Sequence, residues 1–117
     1  MESCPTDPLV ARHCLPCEGG VDKLTPSQVT PLLTQVPQWC VDDSGDRIYR
    51  KIKFRDFVAA LAYLNRVGEL AEEEQHHPDL HLTGYRQVRI ELTTHAIGGL
   101  SENDFILAAK IDAITPG

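Results

Sequence analysis

Between residues 86 and 95 the sequence RQVRIELTTH sets Val88, Ile90 and Leu92 against Gln87, Arg89 and Glu91. Strict alternation of apolar and polar side chains marks a strand with one buried and one wet face, and here it predicts a strand ending near His95. From Phe54 to Gln75 the period changes. Apolar residues recur at Phe57, Leu61, Leu64, Val67 and Ala71, the spacing of a helical stripe, which predicts the longest helix of the chain with that stripe packed across a sheet. Before it, WCVDDSGDRIYRKIKF holds two extended runs joined by DDSGD, whose Asp, Ser and Gly favour turn conformations, so a β-hairpin is expected from about Trp39 to Lys53.

Helix ends are written in local chemistry. Thr25, Pro26 and Gln28 supply an N-cap, a first-turn proline and the third member of a capping box, which opens a short helix that tolerates Pro31 only near its start. In SENDFILAAKIDAI, Ser101 and Asp104 repeat the capping pattern, and Phe105, Leu107, Ala108, Ile111 and Ile114 furnish an apolar side. With a short strand near Leu80–Thr83, the order is helix, strand, strand, helix, strand, strand, helix. That order predicts an α+β fold: a single antiparallel four-stranded sheet with helices packed on one face. Residues 1–20, rich in Pro and Gly without a sustained period, read as an irregular N-terminal arm, and residues 21–117 as one folded domain.

Composition narrows the function. A chain of 117 residues with 42% hydrophobic and 24% charged residues is that of a soluble globular domain, and its apolar runs are too short for a membrane span. The N-terminus has neither a basic leader nor a continuous apolar stretch, so a cytoplasmic address is expected. Four cysteines in such a setting are expected as thiols. The net charge of −6, with lysines and arginines scattered, argues against direct binding of nucleic acid or of an anionic membrane.

The stretch EEEQHHPDLHLTGY carries the candidate chemistry. His76, His77, His81 and His95 fall between the end of the long helix and the end of the alternating strand, at junctions where scaffolds present functional groups. Pro78 disfavours helical geometry at His77 and turns the chain out there. Three readings compete. The imidazoles could complement a helix C-terminus and offset Glu72, Glu73 and Glu74. They could bind a metal with Cys14 and Cys17, although an HH pair diverges and a lone CxxC is a weak frame. Or they could converge on a small molecule as proton donors and acceptors, because imidazole titrates near neutrality. Composition alone does not choose among them.

A longer pattern does. Glu72, His76-His77-Pro78, Asp79, a strand closing on Thr94-His95, the GGL turn at Gly98–Leu100 and Ser-Glu-x-Asp at Ser101–Asp104 together resemble the pterin-4a-carbinolamine dehydratase family. The likeness runs from about Val21 to Ile114 and includes the Trp39 hairpin and the Lys53-Phe54-x-Asp56-Phe57 entry to the long helix. It implies dehydration of 4a-hydroxytetrahydropterin to quinonoid dihydropterin and water, in recycling of the tetrahydropterin, with no metal or other cofactor. It also implies His76, His77 and His95 as catalytic residues, with Glu72, Pro78 and Asp104 in support. On this reading His76 is the principal acid/base, His77 a positioning donor or second proton carrier, and His95 serves the opposite face. Glu72, one turn before His76, is expected to hold that imidazole, and Asp104 to orient His95.

The sequence departs from the family where Leu80-His81-Leu82-Thr83-Gly84-Tyr85 replaces a tryptophan and an NVY-like run, leaving Tyr85 or Trp39 as candidate aromatic walls, although a tryptophan in a hairpin is more often a core residue. The resemblance further implies a homodimer or homotetramer. An alternative from another class is a non-catalytic binding protein on the same fold, either a dimerisation partner for a transcription factor or an assembly factor for a carbon-fixing enzyme.

Overall fold

A computed structural model describes Leu9 and residues 23–114. Helix α1 (Pro26–Leu33) starts as the capping box requires: Gln28 N–H donates to Thr25 Oγ1, and Thr25 N–H donates to Gln28 Oε1 at 2.9 Å. Strands β1 (Cys40–Val41) and β2 (Ile48–Lys53) form the hairpin, turned where the Asp42 carboxylate accepts from Ser44 Oγ and the Gly45 N–H. Helix α2 (Phe57–Glu74) follows, capped by Asp56, whose carboxylate accepts from Ala59 N–H at 2.8 Å. Strands β3 (Asp79–Thr83) and β4 (Gln87–Leu92) make a second hairpin, and α3 (Glu102–Asp112) closes the chain.

The four strands lie in the order β1-β2-β4-β3, every neighbouring pair antiparallel. Val88, Ile90 and Leu92 of β4 are buried, while Gln87, Arg89 and Glu91 lie on the wet face, as the alternation predicts. Ile48 and Phe54 come from the first hairpin and its exit. Phe105, Ile106, Leu107, Ala108 and Ile111 bury most of the circumference of α3, which lies against α2. The fold is the expected α+β arrangement.

One expectation fails in detail. The inward face of α2 is Ala59, Ala60, Tyr63, Val67 and Ala71, whereas Phe57 and Leu61 of the expected stripe are 47% and 40% exposed, beside Val58 at 73%. The bulky apolar side chains are left on the outside. Tyr63 packs its ring on Phe54, with centroids 5.0 Å apart, and its buried hydroxyl has no hydrogen-bond partner among the described residues. Trp39 is buried and donates through Nε1 to Asp112 Oδ1 at 2.9 Å, on an oxygen that Arg50 also holds. Of the expected N-terminal arm only Leu9 is described, and it is buried within the core; the rest of that expectation lies outside the described residues.

Candidate active site

Strand register brings the histidine-bearing segments together. Asp79 at the start of β3 pairs with Glu91 near the end of β4, so the segment 76–78 and the segment after Leu92 emerge at the same end of the sheet. His76 and His77 enter from α2. His95 opens a 3-10 turn, His95–Ile97, whose ends are pinched by paired backbone bonds between Thr94 and Gly99. Gly98 closes that turn with φ 65°, a conformation glycine adopts without strain.

Helix α2 ends before Pro78 can act on it. Gln75 takes the left-handed conformation (φ 56°), its N–H donates to the Glu72 carbonyl, and the His76 N–H reaches back to the Ala71 carbonyl at 3.2 Å. This pair of bonds is a Schellman motif built on a non-glycine residue. It swings His76 inward, where it is 7% exposed, and sends His77 outward.

The two imidazoles then take partners other than those expected. His76 Nε2 lies 2.7 Å from Asp104 Oδ1, and Asp104 is wholly buried. The other oxygen of that carboxylate accepts from Thr94 Oγ1 and from the Ser101 N–H, each at 2.9 Å. Because the single Thr94 hydroxyl proton goes to Asp104, Ser101 Oγ donates its own to Thr94 at 2.8 Å. With Asp104 accepting on both oxygens, it fixes His76 with its proton on Nε2. The carboxylate also sits in the first turn of α3, where the helix dipole favours a negative charge.

Glu72 does not hold His76. Its carboxylate meets His77 Nε2, and both side chains are largely exposed, at 74% and 59%. Asp104 does not orient His95, which stands exposed at the head of its turn. The partners differ because the left-handed residue at position 75 rotates His76 and His77 away from simple helical spacing.

His81 is an exposed side chain of β3. Neither proposed aromatic wall is at this end: Trp39 is spent in the core, and Tyr85 lies in the β3–β4 turn at the opposite end of the sheet. Sequence reasoning missed Thr94 and Ser101 as part of the Asp104 cluster. A Thr two residues past the last alternating apolar residue, with a Ser-x-x-Asp cap next in the chain, was the available signal. Among the described residues, no group of three or more His, Cys, Asp or Glu side chains is arranged to hold a metal ion. Cys14 and Cys17 lie outside those residues.

A family model for pterin 4 alpha carbinolamine dehydratase matches residues 22–114. The chain belongs to this family. A relative from Halorhodospira halophila is 50% identical over 106 residues, covering 91% of this chain and 96% of its own. One from Methylococcus capsulatus is 43% identical over 114 residues, covering 97% and 96%. Both carry the name "Putative pterin-4-alpha-carbinolamine dehydratase". Among solved structures, a protein of Brucella melitensis described as a transcriptional coactivator/pterin dehydratase superposes with a TM-score of 0.73 at 32% identity, covering 79% of this chain and 97% of that one. A pterin dehydratase-like protein identified as a RuBisCO assembly factor of the alpha-carboxysome gives a TM-score of 0.54 at 25% identity, covering 65% and 87%. The fold is therefore shared by enzyme-named and assembly-named proteins. No helix among the described residues is long and apolar enough to cross a membrane.

Proposed function

We propose that this protein dehydrates 4a-hydroxytetrahydropterin to quinonoid dihydropterin and water. The observation that carries the reading is a pair of exposed imidazoles, His77 and His95, on segments that emerge at the same end of the sheet as a buried His76–Asp104 pair. The reaction moves two protons. One goes to the 4a-hydroxyl as the C–O bond breaks and water leaves; the other is lost from N5 as the C4a–N5 double bond forms. An acid and a base on the substrate are sufficient for this chemistry, and positioned side chains of that kind contribute about 10²–10⁴-fold.

Exposure apportions the roles. His77 and His95 can touch a pterin without displacing core atoms, so they carry the protons. Glu72, bonded to His77 Nε2, orients that ring and leaves Nδ1 to face the substrate. His76, held by Asp104, forms the floor that fixes the direction of the adjacent His77, and Pro78 stiffens the exit into β3. The test is the purified chain supplied with enzymatically generated 4a-carbinolamine. Formation of the quinonoid product should be faster than the spontaneous reaction in proportion to protein added; no acceleration at any protein concentration would reject the reading.

The exposed Phe57, Val58 and Leu61 on α2 favour a homodimer or homotetramer, because a monomer leaves this apolar cluster in water. The same surface supports the alternative of a binding or assembly protein. Activity distinguishes the two: an assembly factor with no dehydratase turnover is the outcome that favours the second.

A further inference from the structure

The outer face of the sheet carries lysines that have no carboxylate partner among the described residues. In register, Lys51 of β2 faces Arg89 of β4, and Lys53 faces Gln87, which in turn faces Thr83 of β3. Directly opposed side chains on one face stand about 4.5–5.5 Å apart at Cβ, and like charges so placed repel. Arg89 is relieved by Glu91 and by the Tyr49 ring, 4.0 Å from its guanidinium carbon. Lys51 Nζ stands over the same ring, 5.9 Å from its centroid, and among the described residues neither Lys51 nor Lys53 has a carboxylate partner. By contrast Lys23 pairs with Asp46, Arg50 with Asp112 and Lys110 with Glu74.

Two uncompensated lysines opposite an arginine and a glutamine are a cost in a chain whose net charge is −6. Strand β1 pairs only with Ile48 and Tyr49, so Lys51 and Lys53 lie where β2 is itself the sheet edge, whereas Arg89 opposite them is on the inner strand β4 and needs no edge protection. The carboxylates of this face, Glu91 and Asp79, lie in the row at the histidine end, occupied by Arg47 and Arg89.

At the other end, Lys51, Lys53, Thr83, Gln87 and Arg89 line an open cavity of about 390 Å³. Its size is that of a small-ligand site, and its polar side chains are donors: two ammonium groups, a guanidinium, an amide and a hydroxyl. We propose that this cavity binds a dianionic phosphate group, as inorganic phosphate or as the head of a small phosphomonoester. The two ammonium groups have no carboxylate partner among the described residues and stand beside the Arg89 guanidinium that Glu91 holds in place, a set of donors that suits the oxygens of a dianion. The site is independent of the histidine cluster, which lies at the opposite end of the strands.

Titration calorimetry of the full chain with inorganic phosphate and with glycerol 3-phosphate, at constant ionic strength set by chloride, tests this. Saturable binding at one site per chain is expected, weakened at least about tenfold by the double substitution Lys51→Gln/Lys53→Gln and unchanged by Lys23→Gln. Tighter binding of the ester assigns the cavity to an organic phosphate, and equal binding assigns it to phosphate itself. Unsaturable heats, or a double variant that binds as well as wild type, would overturn the proposal. So would binding of a single-stranded oligonucleotide without binding of either phosphate probe. Denaturation midpoints of the exposed lysine variants close to that of wild type verify that any loss is not unfolding.

Discussion

His76 and Asp104, separated by 28 positions in sequence, meet at 2.7 Å in the interior. That single contact ties the end of α2 to the start of α3, and through Thr94 on the same carboxylate it ties both to the end of β4. The three junctions that carry the candidate site are thus fixed by one acid.

Asp104→Asn should therefore damage more than a local bond. The amide replaces one carboxylate oxygen by a donor, which then faces either His76 Nε2 or both Thr94 Oγ1 and the Ser101 N–H, and leaving buried partners unpaired costs on the order of 3 kcal/mol. Thr94 tests the same cluster more gently. Thr94→Val should lose about 1–3 kcal/mol in urea unfolding together with turnover, and Thr94→Ser, which keeps the hydroxyl, should recover most of both. Equal effects of Val and Ser would mean that the hydroxyl has no part in holding the carboxylate.

Much of this architecture was legible because its instructions are local. Thr25, Asp56 and Ser101 cap helices with their own side chains, and Val88, Ile90 and Leu92 declare which face of β4 is buried. The family pattern likewise named His76, His77, His95, Glu72 and Asp104. What the sequence hid was who bonds to whom. Helical spacing put Glu72 beside His76, but a glutamine in the left-handed region is not announced by residue type, and it reassigns both histidines. The apolar stripe of α2 misled for another reason: hydrophobic periodicity does not separate a face packed on the core from one exposed on a single chain. There Ala59 and Ala60 are buried and Phe57 is not.

Gln75 is the hinge of that reassignment. A β-branched residue is poorly tolerated at φ 56°, so Gln75→Val should cost about 1–2 kcal/mol and lower turnover by shifting His76 and His77, whereas Gln75→Asn, at home in this conformation, should be close to neutral. Equal stability of the two variants by urea denaturation would show that the left-handed cap is not maintained in solution.

Tyr63 predicts a gain. Its hydroxyl is buried without a partner among the described residues, and burial pushes the phenol up to about 12, so it stays neutral at physiological pH. Tyr63→Phe removes an unpaired polar group and keeps the ring on Phe54; unfolding should show stability equal to wild type or higher by up to about 1 kcal/mol. A loss exceeding that amount would reveal a hydrogen bond.

Leu9 makes the region before residue 23 matter for folding. At 1% exposure within the core cluster, Leu9→Ala should cost about 2–5 kcal/mol, measured as a lowered denaturation midpoint at unchanged slope. A cost below about 0.5 kcal/mol, the range of surface substitutions, would mean that the core is complete without it.

The central claim is that the exposed histidines move protons, with His76 and Asp104 beneath them as support. The most direct measurement is the protein-dependent excess over spontaneous 4a-carbinolamine dehydration in wild type, His77→Gln and His95→Gln, paired with urea unfolding of each. The account predicts that each substitution lowers the excess by about 10²-fold or more while stability stays within about 0.5 kcal/mol of wild type. Wild-type turnover in both variants would contradict it.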